Sequence, residues 1–247
     1  MMSGELRECY MHGPYRGSDC PACGNESKLM MNEYEIDVLS KILAGMLRHF
    51  PDRYGIVLDE HGWVKISTII PAIRIQTRHF RWLTPRHIED LVLTDPKGRY
   101  QVNESHEIRA RYGHTIPVNL DDLPTDDVPD KLYYQTTAEE YDLIAENGIL
   151  PSDKSWVHLS RTYRQAYVSG MYHVNDPFIV EVDVRKLNSE DIPVYMATSD
   201  IFLVSKVPPS CFSKAEFEEV TLKPEEKEDI DRVRRKMERR SQTRVED

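Results

Sequence analysis

Between residues 118 and 130 the chain runs through an acidic stretch with two prolines and no helical period, and the hydrophobic pattern differs on its two sides. Such a segment has no face to bury and reads as an interdomain linker. Before it, over 31–117, apolar residues recur mostly at helical spacing; after it, over 131–213, they come in short strand-like runs. A chain of 247 residues is long enough for two lobes with separate cores, and the expected class is α+β.

In the first lobe Leu39, Ile42, Leu43, Met46 and Leu47 fall on one stripe, so 33–49 reads as an amphipathic helix with Pro51 just past its end. Val64 to Ile75 reads as a second helix, interrupted at Pro71. Thr84 can cap a third helix that has Pro85 at its first position. Asp95-Pro96-Lys97-Gly98 is a strong turn signal, and Arg99–Val102 and His106–Arg111 follow it as two short strands. Three helices followed by a hairpin is the element order of a winged helix, an analogy of fold that carries no function by itself. In the second lobe Leu132–Thr136, Val157–Ser160, Phe178–Val184 and Ile201–Val204 read as strands, and Glu139–Asn147 as a helix stopped by Gly148. The remainder, 214–247, is a dense mixture of Glu, Lys and Arg that suits a solvated helix or a frayed tail.

Residues 1–30 are rich in Cys, Gly and Pro and show little apolar periodicity, so they need a staple. Cys9-x2-His12-x7-Cys20-x2-Cys23 supplies one: two short-spaced pairs that can each point two side chains at one ion. Thiolate and imidazole suit tetrahedral zinc, and with all four positions filled by protein its role is structural. Free thiols with a chance histidine are the alternative.

Charge narrows the class of ligand. The chain carries a net −10, which argues against a protein that coats nucleic acid with its whole surface. Yet Ser40 to Thr115 holds 12 Lys and Arg against 8 Asp and Glu, and six of the nine histidines. A local basic excess fits an anion held at one site, although chance variation in a solvated surface gives the same count. Within it, Arg48-His49 closes the first predicted helix, where both residues would also simply complement the macrodipole. In a strand, Arg109 and Arg111 share a face, with Gly113 and His114 just beyond. Two guanidinium forks aimed the same way make a dianion cradle; a strand edge blunted by charge is the competing explanation. Tyr134 and His158 fit equally well as buried, satisfied side chains. No apolar run is long enough to span a membrane, and MMSGELRECYMHG lacks the apolar centre of a signal peptide, so a cytoplasmic protein, not membrane-bound and monomeric, is expected.

Taken together and in order, the segments LSKILAGMLRHFPDRYGIVLDEHGWV, LTDPKGRYQV, IRARYGHTIPVNL, LYYQTT, WVHLS and VPPSCF resemble the RNA 2′-phosphotransferase family that acts at the end of tRNA splicing, and its archaeal branch in particular. The likeness runs to about Phe212 and extends to the N-terminal zinc knuckle. It implies a winged-helix-like RNA lobe followed by an ADP-ribosyltransferase-like lobe that binds NAD as co-substrate. It also implies two steps: the RNA 2′-phosphate attacks the nicotinamide ribose of NAD and expels nicotinamide, then a ribose hydroxyl attacks the phosphorus. The products are 2′-OH RNA and ADP-ribose 1″,2″-cyclic phosphate.

The resemblance assigns Arg48 and Arg109 to the phosphate, and His49 to hydrogen bonding or proton donation beside them. It gives Arg111 and His114 to the RNA backbone, and Tyr133, Tyr134, Gln135, Thr136, His158, Leu159 and Ser160 to the NAD pocket. Where the family commonly has histidine-glycine, this chain has Tyr134-Gln135. Where it commonly has an arginine before the VHLS strand, this chain has Lys154, which keeps the charge and loses the planar fork. Two other functions compete: an ADP-ribosyltransferase that modifies nucleic-acid phosphate ends or protein, and a non-catalytic zinc and winged-helix module that binds nucleic acid.

Overall fold

A computed structural model of the chain describes residues 4–245. It divides into two compact units, the first reaching to Asp122 and including Asp153–Ser155, the second formed by Leu123–Ser152 and the chain from Trp156 onward.

The first unit opens with β1 (Leu6–Cys9), β2 (Gly13–Arg16) and β3 (Lys28–Met31), an antiparallel sheet of order β2-β1-β3. Three elements then carry most of the core: α1 (Glu33–Ala44), a two-residue β4 (Val64–Lys65) leading into α2 (Ile66–Gln76), and α3 (Pro85–Leu93). β5 (Tyr100–Val102) and β6 (Glu107–Ala110) complete a second antiparallel sheet, order β4-β6-β5. Asn32 and Glu35 form a capping box at the start of α1, satisfying two amides that the helix leaves open. Ile36, Leu39 and Leu43 are the buried stripe that the sequence displays.

Two expectations change here. Pro71 does not interrupt the second helix: α2 runs through it with the proline ring exposed. An interior proline costs about 3 kcal/mol, and the burial of Ile66, Ile69, Ile70, Ala72 and Ile73 in one core offsets that. The N-terminal 30 residues also lend Leu6 to the core of the helices and pack Met30 against it, so the Cys-His knuckle is not their only anchor.

The second unit is built on a six-stranded antiparallel sheet. Its elements are β7 (Lys131–Thr136), α4 (Ala138–Asn147), β8 (Val157–Ser160), α5 (Tyr163–Gly170), β9 (Phe178–Asp183), α6 (Val184–Ser189), β10 (Tyr195–Met196), β11 (Ile201–Val204), β12 (Phe212–Lys214) and α7 (Pro224–Val245). The strand order is β10-β11-β8-β7-β9-β12. One face, carrying Leu132, Val157, Leu159, Val180, Val182, Phe202 and Val204, forms the main core. α5 covers part of the other with Tyr163 and Ala166. α5 has a capping box at Thr162 and Gln165, a T-x-x-Q signal visible in the sequence. The charged tail is helical from Pro224, and Ile230 is buried. Arg164 forks Glu226, and Tyr172 donates to Asp229 at 2.8 Å; burial, then that bond to the carboxylate, pushes the phenol up to about 12. Among the described residues no helix is long and apolar enough to cross a membrane.

Candidate active site

The site starts with a change of helical pitch. α1 passes at Gly45 into a π turn, Gly45–His49, in which the Phe50 amide donates to the Gly45 carbonyl at 2.8 Å. Gly45 permits it: a Cβ there would lie 2.6 Å from the Tyr54 hydroxyl, so the ring can close over the turn only because no side chain intervenes. Such π turns recur at functional sites because the extra residue re-aims the side chains that follow. Here those residues are Arg48 and His49.

Arg48 is half-buried. Its guanidinium carbon sits 4.8 Å from the Tyr112 ring and 5.4 Å from Tyr100, and Nη2 donates to the Arg99 carbonyl at 3.4 Å. Its buried Nε has no hydrogen-bond acceptor among the described residues. Gly113, at φ +81°, leaves room for it: a Cβ would lie 3.2 Å from Arg48 Nη1. The Thr115 amide donates to the Arg48 carbonyl at 2.9 Å, and the Thr115 hydroxyl is 3.1 Å from His49 Nδ1. Burial lowers the pKa of His49, and the charges of Arg48 and Lys154 add to the effect. These effects favour the neutral imidazole. Lys154 itself is exposed. Its neighbour Ser155 is tied to the His114 carbonyl through both amide (2.9 Å) and hydroxyl (3.1 Å).

The arginines of the hairpin divide into two kinds. Arg109 is 2 % exposed. Its Nη1 reaches both Asp122 oxygens at 2.8 Å, Nε and Nη2 reach the Gln101 amide oxygen at 3.4 and 3.3 Å, and its guanidinium lies 4.5 Å from the Trp63 ring. All three nitrogens are engaged within the protein. Arg99, which sequence reasoning did not single out, is different. Nε and Nη2 fork Asp95 at 3.0 and 2.9 Å, and the Arg99 amide also donates to Asp95 at 2.8 Å. Burial alone would raise the Asp95 pKa, but the Arg99 fork and charge outweigh it and hold the carboxylate below its ordinary range. The Arg99 side chain stays 25 % exposed, its Nη1 meets no acceptor among the described residues, and its guanidinium lies 5.8 Å from the same Tyr100 ring that Arg48 approaches. The Asp95-Pro96-Lys97-Gly98 turn is the signal that could have drawn attention to it.

Arg111 is half-buried, and its pKa is lowered by burial and by the Arg109 charge. His114 is 1 % exposed beneath Gly62 and Val118, so the structure places it inside the fold. What gathers around the π turn is thus Arg48, His49, Arg99, Tyr112 and Thr115, with the Lys154 charge nearby. Two guanidinium groups stacked on tyrosines beside a neutral imidazole can receive an anion of two charges and offer it a hydrogen-bond donor.

In the second unit the residues expected to meet NAD fall on both faces of the sheet. Tyr133 pairs with Ser160, so Tyr133, Gln135, His158 and Ser160 share one face. Tyr134, Thr136 and Leu159 lie on the other; Leu159 is core, and the buried Thr136 hydroxyl donates to Glu140 at 3.0 Å. Tyr133 meets Tyr163 edge to face at 6.2 Å. His158 Nδ1 is 2.9 Å from the Trp156 carbonyl, which can only accept, so Nδ1 carries a proton.

The N-terminal knuckle brings together Cys9, His12, Cys20 and Cys23, with all ligand atoms within 4.8 Å of one another. A tetrahedral zinc with ordinary bond lengths needs about 3.8 Å between two sulfurs and about 3.5 Å between sulfur and nitrogen. Cys9 and Cys23 Sγ are 3.9 Å apart, and His12 Nδ1 is 3.5 Å from both Cys9 and Cys20 Sγ, so the donor set fits. The Met11 amide, then that of His12, lowers the Cys9 pKa to about 6 against the effect of burial, which favours the thiolate a metal requires. His61, Asp121 and Asp122 also cluster, but both Asp122 oxygens are committed to Arg109.

A Cys3His donor set ahead of a helical unit that gathers arginines and a histidine is suited to a metal ion and to an anionic ligand. Comparison with known sequences narrows this: residues 34–206 match the family model described as RNA 2′-phosphotransferase, Tpt1 / KptA family, and the chain belongs to that family. It is 54% identical over 232 residues to a protein of Thermoplasma acidophilum named a probable RNA 2′-phosphotransferase, covering 94% of this chain and 97% of that one. A Thermoplasma volcanium protein of the same name is 51% identical over the same shares, and one from Methanosarcina barkeri is 35% identical over 83% of this chain and 96% of its own.

Proposed function

We propose that the chain removes a 2′-phosphate from RNA by passing it to NAD, and that Arg48, His49 and Arg99 hold the phosphate. The observation that carries this reading is the π turn that sets Arg48 against Arg99 and Tyr100 and His49 against Thr115, in a chain belonging to the RNA 2′-phosphotransferase family. The first unit then acts as a winged-helix-like RNA lobe and the second as an ADP-ribosyltransferase-like lobe.

Each residue's part follows from its surroundings. Asp95 pre-orients the Arg99 fork and leaves Nη1 to the phosphate. Arg48, stacked on Tyr112, adds the second guanidinium. Positioned charge of this kind both orients the dianion as nucleophile and stabilises the charge on the non-bridging oxygens later. His49, neutral and hydrogen-bonded through Thr115, is placed to exchange a proton with the 2′-oxygen that leaves the phosphorus. NAD supplies the ribose carbon that accepts the phosphate, with nicotinamide as leaving group. Tyr133, Gln135, His158 and Ser160, on one sheet face, bind it. Lys154 assists the phosphate electrostatically, Arg111 the RNA backbone, and Arg109 serves the fold. Zinc holds the N-terminal knuckle.

The test is a short RNA with one internal 2′-phosphate, incubated with and without NAD. NAD-dependent formation of 2′-OH RNA together with ADP-ribose cyclic phosphate is expected. Accumulation of ADP-ribosylated RNA or protein would instead favour a transferase that stops after the first step. Binding with no NAD consumption would favour a non-catalytic nucleic-acid module and overturn the proposal.

A further inference from the structure

The knuckle and the phosphate cradle lie on different elements of the first unit, and one half-buried arginine joins them. Arg16 ends β2, where it pairs with Leu6 at the base of the metal-bearing hairpin. Its Nε donates to Thr94 Oγ1 at 2.9 Å and its Nη2 to the Leu91 carbonyl at 3.5 Å. Leu91 and Thr94 form the C-terminal end of α3, where carbonyls lack helical partners and the macrodipole favours a cation. Thr94 is the C-cap of α3, and its hydroxyl also donates to the Asp90 carbonyl at 2.7 Å. The next residue is Asp95, whose fully buried side chain forks Arg99. The Arg99 carbonyl in turn accepts from Arg48 Nη2 and from the Arg111 amide. At its other end α3 is tied to the hairpin again, through an ion pair of Arg86 with Glu8.

We propose that Arg16 is a positioning residue: it fastens the metal-held hairpin to the end of α3 and thereby fixes the Asp95–Arg99 fork that receives the RNA 2′-phosphate. The inference rests on the phosphate role given above to Arg99. It gives the knuckle a part in substrate affinity without contact to substrate. Burial lowers the Arg16 pKa while Asp95 opposes that and Arg99 adds to it, so the two arginines share one acidic neighbour.

The experiment measures binding of a trinucleotide bearing an internal 2′-phosphate, without NAD so that no turnover occurs, beside the same RNA lacking that phosphate. Arg16→Met should weaken the phosphate-dependent part of binding roughly tenfold and leave the KM for NAD unchanged, with Arg16→Lys restoring part of it. Thr94→Val removes the acceptor without touching the hairpin; it should show the same loss and decides the matter if Arg16→Met does not fold. Chelating the zinc from the wild-type chain should weaken binding by a similar factor. In Arg16→Met it should add nothing, because both perturbations break one coupling. Wild-type affinity in both variants, or losses that multiply with chelation, would overturn the proposal. If the wild-type chain itself does not distinguish the two RNAs, the reading of the site fails rather than the role of Arg16.

Discussion

Replacing Arg109 by methionine tests the proposal that Arg109 serves the fold and not the substrate. Methionine keeps much of the volume and removes every donor. Two charge-assisted bonds to Asp122 are lost; such bonds contribute about 1.5–3 kcal/mol each before screening. The stacking on Trp63 at 4.5 Å is lost as well, and a desolvated cation–π contact adds about 1–2 kcal/mol. Against this, the guanidinium no longer has to be stripped of water, a relief of several kcal/mol. Asp122 is 37 % exposed and recovers much of its hydration, which makes the loss smaller than for a fully buried pair. The balance is a destabilisation of about 2–3 kcal/mol. For a unit of roughly 120 residues that corresponds to a melting temperature lower by about 10 °C. Calorimetry reads the first number. The affinity for 2′-phosphorylated RNA without NAD, measured well below the melting transition, reads the second and should stay within about threefold of wild type. An unchanged melting temperature with affinity reduced tenfold or more would refute the reasoning and return Arg109 to the phosphate, where the family resemblance had assigned it.

Three further outcomes follow from the same geometry. His49 should titrate below its ordinary 6.5, and Lys154→Gln should move the midpoint upward, as histidine NMR would show. Because its folded pKa is depressed, the stability linked to His49 is present above pH 6.5 and is lost as pH falls through the folded value; a stability profile flat through that window would contradict the burial seen here. Gly45→Ala should destabilise by about 1–3 kcal/mol and lower turnover, since the new methyl meets the Tyr54 hydroxyl at 2.6 Å, and Tyr54→Phe in the same chain should recover part of both. Cys20→Ser should remove the metal from the purified chain and lower the thermal transition of the first unit, whereas Cys211→Ser, far from that donor set in sequence and absent from it, should leave metal content unchanged.

Features set by local chemistry were legible in the sequence. The start of α3 at Thr84-Pro85, the stop of α4 at Gly148 and the clustering of Cys9, His12, Cys20 and Cys23 each depend on a few nearby residues, and each stands where the pattern puts it. The strand order of the large sheet was not legible, because it depends on pairing across long separations such as β9 with β7. The π turn was hidden for a different reason. Met46 and Leu47 continue the apolar stripe of α1, so periodicity alone extends the helix to His49. Only Tyr54 closing on Gly45 from beyond Pro51 shows why the pitch changes.

The arginines show where a sequence reading stops. Arg99 and Arg109 both belong to the hairpin region, and side-chain type gives no reason to prefer one as a phosphate ligand. The difference lies in their acids. Asp95 is four residues from Arg99 and takes two of its nitrogens edge-on, which fixes the fork and leaves the third. Asp122 comes from the segment that reads as a linker and, with Gln101 and Trp63, encloses Arg109 completely. Leu120 and Val118 of that same segment are buried, so Asp122 is delivered by a packed piece of chain and not by a tether. An acidic, proline-containing stretch thus closes Arg109 off from solvent while Arg99 stays partly exposed, a consequence that appears only once the segment's apolar residues find their core.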